Sequence, residues 1–416
     1  MSNNLHVIFQ DFTNSTFAMA DKGYEHKLHK SYLSESFESN TYIDLVLPQI
    51  NYYSQDRVLE EAKDEFRVLV GKKGKYRDRE TIGTHPDFKH LEGTDRIENH
   101  YAVSMFVDIK NSTAIYLNTK DLVWTKTFKN TVLRLVTIFM QVFDGHVHRL
   151  QGDAVFGYFT WKDKAKEDAI IDALNAASFL LYYINNYLNP AIISLGYDPL
   201  KIRVGIDFGD DEEVIWSEYG LPPATEVTTT SLHTDLAAKL QNRASSNTIM
   251  IGNNIREILD LPEEFLGIKT FQKNNEIKED RYIINRSEKK YRMWIFKHQN
   301  YLKYFPYLDP ESKIFDSNMF SNMFNMRCKA GDEVYFPNIS ALPKGKILTF
   351  EVSHPLTVPY RGTNNIRFEW EKINRGKEAE KVGQSGKLPA AKTRGNIAYE
   401  ATAYKGHHIM ICKGQD

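Results

Sequence analysis

Between Tyr101 and Phe159 the chain sets two aspartates at the ends of apolar runs, and this spacing limits what the surrounding residues can fold into. The run Tyr101-Ala102-Val103-Ser104-Met105-Phe106-Val107 ends on Asp108. After Ile109-Lys110-Asn111-Ser112-Thr113 the pattern changes to helical spacing, with Val132, Leu135, Val136, Phe139 and Met140 on one face of a helix expected from about Ser112 to Phe143. A second run, His146-Val147-His148-Arg149-Leu150-Gln151, turns at Gly152-Asp153 and returns through Ala154–Phe159. Singly, Asp108 reads as a helix cap and Asp153 as an ordinary Gly-Asp turn residue. Together they point to chemistry, because a carboxylate at the end of a buried strand is costly unless it is paired or binds metal. Two such acids can hold a divalent cation against a phosphate chain, and hard oxygen ligands suit Mg²⁺ or Mn²⁺. The Asn111-Ser112-Thr113 amides, at a helix N-terminus between the acids, would receive phosphate oxygens.

The flanking sequence predicts an α+β domain around this stretch. A helix is expected over about 164–188, with Pro190 just past its end as a stop signal. Ile202–Phe208 alternates as a half-buried strand would, a helix follows over about 231–244, and Thr248–Ile251 is another strand. The order β-α-β-β-α-β, with a further α-β pair, is the ferredoxin-like arrangement, with the helices on one face of a mainly antiparallel sheet. From Gly331 onward, short strands (346–352, 366–372, 397–403, 408–412) alternate with Gly and Pro turns, which predicts a small all-β, sandwich-like domain. The expected division is an N-terminal extension over 1–98, a catalytic domain over 99–297, a connector over 298–330 and the β domain over 331–416. Within the extension, 43–47 reads as a strand, 58–70 as a helix and Lys72–Arg77 as a solvated basic loop.

Net charge is -1, which supplies no basic field for nucleic acid. Two cysteines argue against a disulfide scaffold and fit a reducing compartment. There is no signal-peptide pattern at Met1–His6 and no apolar run of the ~18 residues a span needs, so a soluble cytoplasmic protein is expected, with no membrane partner. His146 and His148 lack further ligands at zinc spacing.

Phe106-Val107-Asp108-Ile109-Lys110-Asn111-Ser112-Thr113 resembles the opening motif of class III nucleotide cyclases, and Arg149-Leu150-Gln151-Gly152-Asp153 their second metal motif. Arg203–Gly209 resembles the strand after their second helix, and Asp235–Leu240 the helix that closes their site. The blocks 345–352, 368–379 and 400–408 resemble the AGS-C sensor domain that accompanies second-messenger synthases of bacterial defence. The resemblance implies a homodimer with sites at the interface, and two Mn²⁺ or Mg²⁺ ions held by Asp108, Asp153 and the Ile109 carbonyl. It also implies attack of the ribose 3′-hydroxyl on the α-phosphate.

Purine cyclases of this family carry Lys or Glu four residues before the second metal aspartate, where this chain has Arg149. Tyr101 and Arg149 resemble the nucleotide-contacting pair of the pyrimidine cyclases of the Pycsar anti-phage system. The partner base-reading position falls on Thr228, and the family's transition-state Asn and Arg fall on Asp235 and Lys239, with Arg243 an alternative cation. Lys239 would neutralise phosphate as a point charge. Arginine offers donors only, so a uracil with carbonyls at O2 and O4 suits Arg149 if it reaches O4, and cytosine fits equally if it reads O2. The expectation is therefore a UTP cyclase making cyclic UMP for a separate effector protein in antiviral signalling. A CTP cyclase making cyclic CMP and a non-catalytic cyclase-like nucleotide sensor are the alternatives.

Overall fold

In a computed structural model, described for residues 5–14, 52–73, 82–113, 117, 122–194, 196–305, 308, 325–353 and 367–415, the chain forms two compact units. The first takes Met1–Lys162 and Ala173–Ile249, and the second Asp163–Asp172 and Met250–Asp416. The strand expected over 43–47 lies outside the described residues.

The first unit is built on β1 (Ala102–Ile109), α1 (Leu122–Val142), β2 (His146–Gln151), β3 (Ala154–Phe159), α2 (Lys166–Tyr183, from Ala173 on in this unit) and β4 (Ile202–Gly209). The strands pair antiparallel in the order β4-β1-β3-β2, the ferredoxin-like order. Next come a hairpin that sequence reasoning left unassigned, β5 (Ile215–Leu221) with β6 (Ala224–Thr230), and α3 (Leu232–Arg243). The strand Thr248–Gly252 spans the point where the units divide.

The pleat sorts β1 into two faces. Val103, Met105, Val107 and Ile109 are buried on the face of α1; Gly157, opposite Met105, has no room for a Cβ against the His146 backbone carbonyl. Phe143 of that layer stacks on Phe179 of α2 at 5.6 Å. Ala102, Ser104, Phe106 and Asp108 lie on the other face, under α3 and the hairpin. There Ser104 meets Thr234 of α3 at 2.9 Å, and Ala102 joins Trp216, Val227, Tyr158 and Phe88 in one apolar cluster. The expectation of all helices on one face therefore holds for α1 and α2 and is corrected for α3.

Glycine makes that second layer possible. A Cβ on Gly205 of β4 would sit 2.2 Å from the Ala237 carbonyl oxygen and 2.2 Å from the Gln241 amide nitrogen, both backbone atoms of α3. Gly205→Ala should push α3 off the sheet and cost about 1–3 kcal/mol of stability. A chemical denaturation curve superimposable on wild type would refute this close packing.

Helix ends follow local chemistry. Ser231 caps α3, its hydroxyl accepting from the His233 amide at 3.2 Å. Pro190 does not stop the second helix as expected. The chain stays helical through one wider turn over Ile184–Leu188 into a further helix Asn189–Ser194, which carries the proline in its first turn. The expected helix 112–143 is described over Ser112–Thr113 and over Leu122–Val142.

The N-terminal extension contributes core. Residues 5–14 are helical, and Phe9 and Phe12 are fully buried against Phe66, Phe139 and Tyr183. Phe66 comes from the helix Tyr52–Leu69, which matches the one expected over 58–70 as far as Leu69 and extends it toward the N-terminus. Lys72, read as solvated, is drawn to Asp144 at 3.4 Å beside the Arg67–Asp144 pair at 2.7 Å. Residues 74–77 of that basic cluster lie outside the described residues.

The second unit carries the expected β architecture. One antiparallel sheet orders Glu333–Tyr335, Asn325–Ala330, Ile347–Ser353, Ile397–Ala401 and Lys392–Arg394; another orders Gly386–Pro389, Arg367–Asn374 and Ile409–Gln415. Val352 and Ala398 of the first sheet and Trp370 of the second bury together, with Phe350, Phe368, Met410 and Cys412 packed around them. In the same unit Arg375 pairs with Glu264 at 2.6 Å and donates to the Tyr304 hydroxyl at 2.9 Å, while Phe265 packs edge-on against His407 at 5.1 Å. No described helix is long and apolar enough to cross a membrane.

Candidate active site

Strand register brings the two aspartates together. Asp108 is the next-to-last residue of β1 and pairs with Ala154 of β3. Asp153 directly precedes Ala154, in a turn whose Gly152 has φ +66°, a conformation that favours glycine. Both acids therefore sit at one end of adjacent antiparallel strands, beside the Ile109 carbonyl. On the other side Asp108 pairs with Arg203 of β4, whose guanidinium forms an ion pair with its carboxylate, and the Gln241 amide of α3 donates to the same carboxylate oxygen at 2.9 Å. Asp108 is thus held from two elements, and only 17% of its side chain is exposed. Two carboxylates and a carbonyl form an all-oxygen donor set, which fits a hard divalent cation. No described group of three or more His, Cys, Asp or Glu is arranged to hold a metal ion.

The same register arranges the face of the sheet in rows. Arg203, Asp108, Ala154 and Gln151 form one; Gly205, Phe106, Phe156 and Arg149 the next; Asp207, Ser104, Tyr158 and His146 a third. Arg149 thus shares the face of Asp108, two strands across and one row along, or about 12 Å between Cα atoms. Between them Phe106 and Phe156 stack at 4.1 Å with an interplanar angle of 8°.

Arg149 forms an ion pair with Glu226 of β6. The Tyr158 hydroxyl lies 3.0 Å from that of Thr228 and 2.9 Å from that of Thr229, which continues at 2.9 Å to Thr234. Burial pushes the Tyr158 phenol up to about 12, so it remains a neutral donor at ordinary pH. Beside it, His148 is the extra residue of a bulge in β2; it and His146 lie 2.8 and 2.7 Å from the Gly83 carbonyl oxygen. Burial holds His148 down at about 4, with the Arg149 and His146 charges acting in the same direction and Glu226 against.

The remaining expected residues scatter. Asn111 is an exposed turn residue at φ +60°, followed by half-buried Ser112 and exposed Thr113. Tyr101 is not brought to the site. Seven residues from Asp108 along an extended chain is about 23 Å, and an odd count places its side chain on the opposite face. It is buried there, its hydroxyl donating to the Trp161 carbonyl at 3.3 Å. Asp235 and Lys239 are exposed on α3, away from the face that carries Thr234 and Gln241 to the sheet.

Four residues of this arrangement escaped sequence reasoning: Glu226, Tyr158, Arg203 and Gln241. Tyr158 and Arg203 lie in strands that the sequence itself predicts, and alternation along those strands places both on the Asp108 face. Glu226 lies on the hairpin left unassigned, although Trp216 to Thr230 is rich in aromatic and β-branched residues on either side of a Pro222-Pro223 turn. At the start of α3, buried Asp207 holds the His233 Nδ1 at 3.0 Å, with Glu213 3.3 Å from its Nε2. Burial opposes a charge on His233, but the two carboxylates outweigh it and raise its pKa.

Residues 304–413 match the family model described as the Adenylyl/Guanylyl and SMODS C-terminal sensor domain. A cytidylate cyclase of Staphylococcus aureus is 39% identical over 351 residues, 84% of this chain and 82% of the relative. A cytidylate cyclase of Escherichia coli is 33% identical over 410 residues, 92% of this chain and 84% of the relative. Among solved structures, an adenylyl cyclase of P. aeruginosa aligns with a TM-score of 0.40 and 15% identity, covering 48% of this chain and 95% of that one.

Proposed function

Because the chain belongs to the Pycsar-like class III nucleotide cyclases that carry an AGS-C domain, we propose that it converts CTP to 3′,5′-cyclic CMP and pyrophosphate, as a second messenger of antiviral defence read by a separate effector. The observation that carries the chemistry is the register that sets Asp108 and Asp153 at one end of β1 and β3. The choice of CTP over the UTP expected from the sequence is supported by the names of the two relatives.

Asp108, Asp153 and the Ile109 carbonyl would hold two divalent ions, Mn²⁺ or Mg²⁺, which supply charge neutralisation at the entering and leaving oxygens. Arg203 and Gln241 fix the Asp108 carboxylate, so its orientation is set before substrate arrives. Arg149 and the Thr228 strand bind the base. Lys239, turned outward on α3, serves the triphosphate of a second copy in a homodimer. In the reaction the O3′–Pα bond forms, the bond from Pα to the bridging oxygen of the β-phosphate breaks, and the hydroxyl proton is released.

The purified protein, given each of the four nucleoside triphosphates with Mn²⁺ or Mg²⁺, should yield cyclic CMP and pyrophosphate from CTP. Preferential cyclisation of ATP or GTP, or no cyclic product from any of the four, would overturn this reading.

A further inference from the structure

Glu226 is the group on this sheet face that tells cytosine from uracil: we infer that the Arg149–Glu226 ion pair is a preformed edge complementary to the pairing edge of cytosine. The inference rests on the cyclase reading above and names the residue that sets its choice between the two pyrimidines. Three observations lead to it. Thr228, the position that family spacing assigns to base reading, has its hydroxyl bonded to Tyr158 at 3.0 Å. Two residues earlier on the same face of β6, Glu226 reaches across to Arg149. Both side chains are 42% exposed, so the pair is open to a ligand.

The hydrogen-bond arithmetic is definite. Arginine presents five donors and no acceptor, and an ionised glutamate presents acceptors alone. One guanidinium nitrogen and one carboxylate oxygen bind each other, which leaves further donors on Arg149 and the second oxygen on Glu226. Side by side, the pair therefore offers an acceptor next to donors. Cytosine has a complementary edge: its N4 amino group donates, while N3 and O2 accept. Uracil reverses the first two positions, with O4 accepting and N3 donating. It would set O4 lone pairs against the carboxylate and N3–H against the guanidinium. Arg149 alone is indifferent or favours uracil; Glu226 reverses the balance.

The pair is also rigidly supported. The Tyr158, Thr228, Thr229, Thr234 and Ser104 hydroxyls form a continuous chain from β6 through α3 to β1, each link between 2.9 and 3.0 Å. The chain fixes the strand that carries Glu226 relative to the strand that carries Asp108. His148 packs beneath, its Nε2 3.9 Å from the Glu226 carboxylate, and burial keeps the ring neutral, so it does not cancel the carboxylate charge.

The test measures kcat/KM for CTP and for UTP with wild type, Glu226→Gln and Glu226→Ala. Wild type should prefer CTP. Glutamine keeps the size but can turn an amide donor toward O4, so the CTP/UTP ratio should fall by about tenfold to a hundredfold, with cyclisation of UTP retained or increased. Alanine should lower the ratio mainly through a raised KM for CTP. A Glu226→Gln protein with the wild-type ratio would overturn the inference, as would a loss of both activities in equal proportion, which marks a structural role only. Failure of the cyclase reading is separately visible: wild type would then form no cyclic pyrimidine nucleotide.

Discussion

Asp108→Ala and Asp153→Ala should each lower cyclisation by about a thousandfold or more, while far-UV circular dichroism and elution volume stay those of wild type. Each substitution removes one carboxylate from a two-acid donor set, and charge stabilisation by a bound ion is worth several kcal/mol at the transition state. The structural consequences of the two should differ. Asp153 lies at a turn tip, and Gly152, which makes the turn, is untouched, so little packing is lost. Asp108 is ion-paired with Arg203 and bonded to Gln241, so its removal leaves a largely covered guanidinium without its carboxylate. A modest fall in stability, about 1–3 kcal/mol, is expected for Asp108→Ala and none for Asp153→Ala. Asp108→Asn separates the two effects, because it keeps an oxygen acceptor for Gln241 and removes the charge. Near-normal turnover in a folded Asp153→Ala protein would end the case for a paired-acid site.

The fold should weaken markedly as pH falls from 6.5 toward 4. Burial is the largest cause of depressed pKa values at His85, His100 and His148 in the first unit and at His298, His407 and His408 in the second. A buried neutral histidine binds its proton less readily folded than unfolded. Its contribution is therefore complete above the ordinary value near 6.5 and is lost as pH drops through the window toward the folded value. For His148, 2% exposed and held at about 4, the loss by pH 5 is about 2 kcal/mol. His233 acts in the opposite sense: its raised pKa gives stability that is complete below 6.5 and lost as pH rises through the folded value. Urea denaturation at pH 7.5 and at pH 5.0 measures the balance. His148→Gln, which retains an amide donor for the Gly83 carbonyl, should flatten the difference. Equal unfolding free energies at the two pH values would show that these rings are not neutral and buried.

What could be read from the chain alone was what one strand encodes by itself. The apolar run before Asp108, the Gly-Asp turn and the helical spacing of Val132 to Met140 are local patterns, and each formed the element it predicted. What one strand does not encode is geometry across strands. Tyr101 was grouped with Arg149 by position in a motif, but strand length and the parity of seven separate it from Asp108. Glu226 was invisible because its partner, Arg149, is 77 residues away and the hairpin that carries it had not been recognised. The α3 layer is legible only once Gly205 and Phe106 are known to be cross-strand neighbours, for then the missing side chain becomes a seat for a helix.

The pleat of β1 has a consequence for what variation this protein can survive. Even-numbered positions from 102 to 108 face the chemistry and odd-numbered positions from 103 to 109 face the α1 core. Inserting or deleting a single residue within Ala102–Asp108 exchanges the two sets for whatever part of the strand lies beyond the change. Val107 after an insertion, or Ile109 after a deletion, then takes the place of Asp108, and the carboxylate is driven into the α1 core. Conservative substitution can be explored one position at a time, but length cannot. The exposed ribbon Lys269–Lys273 and Glu276–Asp280, by contrast, forms a two-stranded sheet of its own among the described residues and carries no residue assigned to catalysis, so its tip can lengthen or shorten. Among descendants of this sequence, insertions and deletions should accumulate at the tip of that ribbon and be absent from β1.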